Sequence, residues 1–223
     1  MWVPRWSDCL RRSWLLAFAL WVSVAGFVII GAQRVSAQPY QEAVEGTSGI
    51  AHFWPMGEAS GSSFADVVGA DNASVVSGVT LGEPGGLVGD SATSALFDGS
   101  SGSASAAVDL SGTHALTVEF WMKWESYGPD DRLALEFTPN FNEHPGGFLV
   151  DPDATPGSDF AVSIGEGGSR NTVYFERPSA EAWHYYAFVI DTEAPAESEI
   201  VPYLDGKAVS YTKTESGTEA GNG

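Results

Sequence analysis

The stretch from Leu116 to Trp124 constrains the fold more than any other part of the sequence. It reads LTVEFWMKW, and every second residue is apolar. Successive side chains of a β-strand point to opposite faces, so one face of this strand would carry only apolar groups. These are Leu116, Val118, Phe120, Met122 and Trp124. A strand with one apolar face packs that face against a second sheet, which predicts a layered all-β body.

Residues 1–37 have the composition of an export signal. A basic region (residues 5–12) precedes an uncharged apolar run (residues 14–31), and Val35-Ser36-Ala37 supplies small residues for cleavage. We therefore expect a helical signal peptide and a secreted or cell-surface protein. The apolar run is near the shortest length that spans a membrane, so an uncleaved N-terminal anchor is the alternative. Contact with a membrane is expected only through this segment.

The charge balance is strongly acidic, with a formal net charge of −19. Removing residues 1–37 takes away four arginines and one aspartate from this total, which leaves −22. Such a surface repels phosphate, which argues against nucleic-acid binding and favours a soluble surface or one that holds cations. The single cysteine, Cys9, lies in the leader. The remaining domain is therefore expected to be held by its core, or by bound metal, and not by disulfides.

Turn residues separate short apolar segments through the rest of the chain, a spacing typical of a sandwich or barrel. After a polar linker (residues 38–48), Ile50–Trp54 is predicted as the first strand, and a loop-rich region follows. Asp205-Gly206 is predicted to form the two-residue turn of a hairpin within Ile200–Lys213. The other predicted strands cover residues 95–98, 103–108, 116–124, 133–137, 160–164, 173–175 and 182–191.

Five blocks of sequence carry a resemblance: WPMGEASGSSFADVVGADNASV, LFDGSSG, ALTVEFWMKW, AWHYYAFVID and VPYLDGKAVS. In order and spacing they resemble the laminin G-like, concanavalin A-like jelly-roll domains of bacterial surface and secreted proteins. The resemblance covers residues 49–213. It implies a two-sheet antiparallel β-sandwich, usually a module that binds carbohydrate or protein, often with a structural calcium ion. In that family further strands follow the hairpin, whereas residues 214–223 are a polar tail. We therefore expect an incomplete jelly roll in a fragment of a longer protein.

The calcium site of that family commonly lies in the loops beside the first strands. Hard cations take several oxygen ligands from carboxylates and loop carbonyls. The candidate calcium ligands in these loops are Glu58, Asp66, Asp71, Asn72 and Asp98. The same residue types also stabilise turns by accepting hydrogen bonds from backbone amides, and no EF-hand spacing is present. Both interpretations stay open at this point.

Sugars are usually bound by flat aromatic side chains beside polar groups. The aromatic residues placed where they could face outward are Trp121, Tyr127, Tyr174 and Tyr186, while Trp124 and Trp183 are predicted in the core. Hydrolysis of a sugar would need two carboxylates flanking the scissile bond. No predicted strand carries acids at alternate positions, and Glu119 stands alone on its strand. The four histidines show no metal-binding spacing.

These observations predict a non-catalytic extracellular module that binds carbohydrate or a surface protein as part of a larger secreted or surface protein. Two alternatives come from other classes. One is a structural spacer that is stabilised by calcium and binds no glycan. The other is an accessory domain of a hydrolase whose catalytic part lies beyond residue 223.

Overall fold

The computed structural model describes residues 39–125, 132–137, 146–155, 159–165 and 170–216, all within the compact unit Ala37–Gly223. These residues form one short helix, α1 (Pro39–Glu45), a 3-10 turn at Ala196–Ser198, and β-strands. The strands are β1 (Ser63–Phe64), β2 (Ala73–Ser77), β3 (Val79–Pro84), β4 (Thr93–Phe97), β5 (Ser103–Ser105), β6 (Ala115–Lys123), β7 (Leu135–Phe137), β8 (Phe148–Thr155), β9 (Asp159–Gly165), β10 (Arg170–Glu176), β11 (Trp183–Asp191), β12 (Ile200–Leu204), β13 (Lys207–Ala208) and β14 (Tyr211–Ser216). Among the residues that the structure describes, none of the helices has the length and hydropathy of a membrane-spanning segment.

Two larger antiparallel sheets form the body of the domain. Sheet I has the strand order β13-β12-β11-β6, and sheet II has the order β14-β10-β9-β8-β7. Two smaller sheets come from the first part of the chain, with the orders β1-β2-β5 and β3-β4. All of these strand pairs are antiparallel.

An aromatic core lies between sheets I and II. Phe160 of sheet II has its ring centroid 4.9 Å from that of Tyr186 in sheet I and 4.8 Å from that of Phe175 in its own sheet. Phe188 of sheet I contacts both Phe160 and Phe175. Because aromatic side chains bury large apolar areas, this cluster is the main contact that joins the two layers.

The predicted apolar face of the central strand is confirmed for four of its five residues, whereas Trp124 follows the end of β6 and is not among the residues packed against the core cluster. Every second residue of β6 packs against the core cluster: Leu116, Val118, Phe120 and Met122. The predicted all-β, two-sheet antiparallel sandwich is confirmed by the same packing. The predicted signal helix over residues 1–37 lies outside the described residues.

The hairpin prediction is confirmed at its turn. Asp205 and Gly206 have φ angles of 50° and 74° and connect β12 to β13, the left-handed backbone that a two-residue turn requires. The hairpin itself is short, because the chain leaves sheet I after Ala208. Strand β14 then pairs with β10 of sheet II and continues to Ser216, three residues past the predicted boundary at Lys213.

The predicted strand Ile50–Trp54 is wrong. Its backbone forms hydrogen bonds with a loop and not with a neighbouring strand. The Phe53 amide donates to the Asp66 carboxylate, and the Phe53 carbonyl accepts from the Val67 amide. A side chain that accepts backbone hydrogen bonds competes with strand pairing in this way.

The predicted loop region and the predicted polar linker contain strands and a helix that their amino-acid composition did not indicate. Strands β2 and β3 lie within the predicted loop region, and α1 lies within the predicted linker at residues 38–48. Glycines in the left-handed conformation, Gly78 and Gly82, interrupt the alternation there. The strands predicted on either side of the Asp98 turn exist as β4 and β5, but they pair with β3 and β2 and not with each other.

A valine pair tests whether the interface between the sheets stabilises the domain. Val162 of β9 is fully buried, whereas Val88 is fully exposed in a loop. We expect Val162→Ala to lower the free energy of unfolding by about 2–3 kcal/mol, since two methyl groups are lost and a cavity remains. Urea denaturation measures this, with Val88→Ala as the matched control that leaves the midpoint unchanged. Equal effects of the two substitutions would contradict the core assignment.

Candidate functional site

The face of sheet I that points away from the core carries a cluster of aromatic and charged side chains. In the register of β6 with β11, Trp121 lies opposite Tyr185, and Lys123 lies opposite Trp183. These positions alternate with the core-facing residues of both strands, so their side chains project from the outer surface. Trp183, predicted in the core, therefore lies on the outer face.

Three of these side chains make one connected group. The Tyr185 hydroxyl donates a hydrogen bond to the Glu119 carboxylate. The rings of Trp121 and Tyr185 have centroids 5.3 Å apart, with an interplanar angle of 47°. Cross-strand aromatic contacts of this kind hold both rings in place. The position of the Glu119 carboxylate is thus set by a neighbouring strand and not by its own strand alone.

Helix α1 brings Tyr40 to the same group. Burial raises the pKa of Tyr40. A hydrogen bond with the Trp121 side chain lowers this pKa, and the charge of Glu119 raises it. Burial also raises the pKa of Tyr185, and the hydrogen bond to Glu119 and its charge add to that shift. Both phenols therefore keep their protons at neutral pH and remain hydrogen-bond donors. We call Tyr40, Glu119, Trp121 and Tyr185 the aromatic platform.

One end of the outer face is closed by the loop between β3 and β4. Gly86 lies so close to Trp183 that a Cβ atom there would come within 2.6 Å of the indole Cδ2, which requires glycine at this position. Lys123 Nζ lies 5.9 Å from the centroid of the Trp183 ring, within the range of a cation–π contact. A surface cavity of about 200 Å³ lies between Tyr40 and residues 87–90 of this loop.

The predicted calcium ligands fall into two separate places. In the first, Asp66 is buried and its carboxylate organises the surrounding loop. Its Oδ1 accepts from the amides of Phe53 and Gly69, both at 2.9 Å, and its Oδ2 lies 2.8 Å from His52 Nδ1. Burial alone would raise the pKa of Asp66, but the hydrogen bonds outweigh it and hold the pKa well below its usual range.

Three other predicted ligands surround Asp66. Asn72 Oδ1 accepts from the Asp66 amide at 2.9 Å, and the Asp71 carboxylate lies 3.8 Å from His52 Nδ1. Glu58 Oε1 accepts from the amide of Ala65 at 2.8 Å. Three of these four side chains, those of Asp66, Asn72 and Glu58, thus stabilise the loop by accepting backbone hydrogen bonds, which is the second of the two interpretations that the sequence left open.

Asp98 belongs to a different turn. Its exposed carboxylate accepts from the backbone amides of Ser100, Ser101 and Gly102, at 2.7–2.8 Å. These bonds lower the pKa of Asp98 to about 2. No group of three or more His, Cys, Asp or Glu side chains in the described ranges is arranged to hold a metal ion. Asp98 thus takes part in a different hydrogen-bonded turn from the other four predicted ligands, and the calcium site stays a prediction.

The other predicted aromatic residues have different environments. Tyr186 is 1 % exposed and belongs to the core, so its predicted outward position is wrong. Tyr174 lies on sheet II beside a shallow surface cavity of about 230 Å³. Tyr127 lies outside the described residues. Tyr40 and Tyr185 were missed, although the alternation of β11 placed Tyr185 on the face opposite to Tyr186.

The Asp66 cluster gives a test that depends on pH. The pKa of Asp66 is lowered by folding, so its contribution to stability is complete above its unfolded pKa of about 3.9 and is lost as the pH falls below it. We expect Asp66→Asn to lower the free energy of unfolding by about 2–4 kcal/mol at pH 7, because an amide nitrogen would face backbone donors. The difference in the free energy of unfolding between Asp66→Asn and the wild type should become smaller below about pH 4. Chemical denaturation across pH measures both effects.

The control for this test is Asp109→Asn. Asp109 is exposed and accepts one backbone bond, from the amide of Ser111, so its substitution should leave the unfolding midpoint nearly unchanged. An equal loss of stability in the two variants, or a constant difference from pH 7 to pH 3, would contradict the role given to Asp66.

Comparison with protein families identifies the fold. A family model described as the concanavalin A-like lectin/glucanases superfamily, Laminin_G_3, matches residues 97–223, which is more than half of the chain. That description names both sugar-binding and sugar-cleaving proteins. No curated protein and no solved structure matches the chain. The chain belongs to the laminin G-like family of the concanavalin A-like lectin/glucanases superfamily.

Proposed function

We propose that this protein is a non-catalytic extracellular binding module whose ligand is carbohydrate, bound at the aromatic platform on the outer face of sheet I. The observation that carries the proposal is the cross-strand group of Trp121, Tyr185 and Glu119. Family membership supports the class of ligand, because sugar binding is named in the family description.

The chemistry of the platform suits a sugar. One face of a pyranose ring presents C–H groups, which pack on aromatic rings such as those of Trp121 and Tyr185. The edges of the sugar present hydroxyls, which can donate to the Glu119 carboxylate and accept from the phenol of Tyr40, while the Tyr185 oxygen, whose proton goes to Glu119, can accept from them. Hydrogen bonds to an ionised acceptor are stronger than neutral ones. The platform thus combines apolar area with charged and neutral polar groups, as small-molecule sites do.

The contacts of Glu119 support binding over hydrolysis. Its carboxylate interacts with Tyr185 and Tyr40, which are both phenols. A glycosidase of the usual kind places a second carboxylate across the scissile bond. A phenol held protonated by burial is a hydrogen-bond donor to a ligand and not the general base of such a pair.

The extracellular location is supported by the sequence. The export signal predicted over residues 1–37 and the acidic net charge of −19 suit an exported domain. We propose that the module belongs to a larger secreted or surface protein, where it contributes attachment to a glycan.

Binding of glycans by the protein produced from its full-length sequence tests the proposal. We expect hits on a glycan array and a dissociation constant measurable by calorimetry with the best hit. Trp121→Ala should weaken that constant about tenfold or more, because it removes the central ring of the platform. The matched control is Tyr174→Ala on sheet II, which should bind as the wild type does.

Three results would contradict the proposal. Equal weakening by the two substitutions would move the site away from sheet I, and release of reducing sugars from a bound glycan would establish catalysis. Absence of any glycan hit, combined with a melting temperature raised by calcium, would favour the structural spacer. The hydrolase alternative is tested by the coding sequence downstream of residue 223.

A further inference from the structure

Strand β6 lies at the edge of sheet I. It pairs with β11 over nine consecutive residue pairs without a bulge, from Ala115 opposite Asp191 to Lys123 opposite Trp183. No described residue pairs with the other edge of β6. Long, regular edge strands present unpaired backbone groups and readily accept another strand. Proline and bulges are common protections of such edges, and β6 has neither.

The hydrogen-bond register identifies the groups that face the open edge. One step beyond the pair Ala115–Asp191, His114 lies opposite Thr192. The Thr192 amide donates to the His114 carbonyl at 2.8 Å, so this pair is a hydrogen-bonded one. Hydrogen-bonded pairs alternate along an antiparallel ladder, so the even-numbered residues of β6 bond to β11. The N–H and C=O groups that point to the open edge belong to the other residues: Ala115, Thr117, Glu119, Trp121 and Lys123.

We propose that this edge binds the same edge of a second copy of the chain, antiparallel, with Trp121 on the two-fold axis. In this register Glu119 lies opposite the partner's Lys123, and Lys123 lies opposite the partner's Glu119. Trp121 lies opposite the partner's Trp121. Cross-strand pairs of opposite charge and of aromatic rings stabilise an antiparallel pair. The edge is therefore complementary to itself, which an isologous dimer requires.

The core-facing side of the same pairing is also complementary. Phe120 lies opposite the partner's Met122, so an aromatic ring meets a thioether on the side that continues the hydrophobic layer. Both side chains already pack against the core within one copy. The paired edges would extend sheet I from four strands to eight across the dimer.

The charges on β6 select this register over its neighbours. Centring the pair on Glu119 would place two carboxylates opposite each other, and centring it on Lys123 would do the same with two ammonium groups. Like charges directly opposite each other destabilise a strand pair. The register centred on Trp121 is the one that joins both charged residues of β6 into two ion pairs.

The dimer would also bring two aromatic platforms together, since Trp121 belongs to each of them. This consequence rests on the proposed function, whereas the pairing itself does not. The net charge of −19 on each chain opposes association, so the dimer is expected at near-physiological ionic strength, about 0.15 M, where distant charges are screened.

Sedimentation equilibrium of the full chain at this ionic strength tests the pairing. We expect a monomer–dimer equilibrium, and we expect Lys123→Glu to weaken it about tenfold, because two attractive pairs become repulsive. The double variant Glu119→Lys/Lys123→Glu exchanges the two charges and should restore most of the lost affinity. Failure of the double variant to recover affinity would overturn the register.

Thr117→Pro tests the edge without relying on charge. The Thr117 amide points to the open edge, so proline removes no hydrogen bond to β11 but blocks the incoming strand. We expect a monomer whose melting temperature is close to that of the wild type. A wild-type chain that stays monomeric at all concentrations, a dimer that Thr117→Pro leaves intact, or assembly into open polymers would overturn the proposal. Glycan titration of Thr117→Pro separates the two proposals, since each monomer keeps its own platform.

Discussion

The stacking of aromatic rings between the two sheets is the contact on which the remaining structure depends. Phe160 of sheet II packs on Tyr186 of sheet I, and Phe188 extends the cluster. Because β6 is paired with β11, the same contact sets the orientation of every outward side chain on these two strands. The aromatic platform is thus a consequence of core packing: Trp121 and Tyr185 face outward because Phe120 and Tyr186 face inward.

The first part of the domain is held by a different kind of interaction. Between α1 and β1 the chain has no strand pairing, and a buried carboxylate, Asp66, takes the place of a sheet partner by accepting several backbone amides. Such hydrogen bonds to an ionised group are strong, and they also explain the lowered pKa of Asp66. Glu58, another acid predicted as a metal ligand, likewise accepts a backbone hydrogen bond in this loop.

Strand β6 has three roles that come from its geometry. One face supplies the core, the other face supplies the platform, and the edge that pairs with no described residue supplies the proposed pairing surface. Glu119 and Trp121 belong to both of the last two, so binding of a glycan and association of two copies would involve the same two side chains. This couples the two proposals physically, although each can be measured separately.

The sequence by itself determined the sandwich and the inward face of β6, because alternation along a strand is a local property that Leu116, Val118, Phe120 and Met122 display without reference to any partner. It also determined the turn at Asp205-Gly206, which depends on backbone angles alone. Only the tertiary structure decided which strands are neighbours. The register of β6 with β11 joins Glu119 to Tyr185 across 66 positions of sequence, and the Asp66 bond to Phe53 replaces a predicted strand. Pairings between distant segments depend on how the whole chain packs, so no local pattern could have shown them.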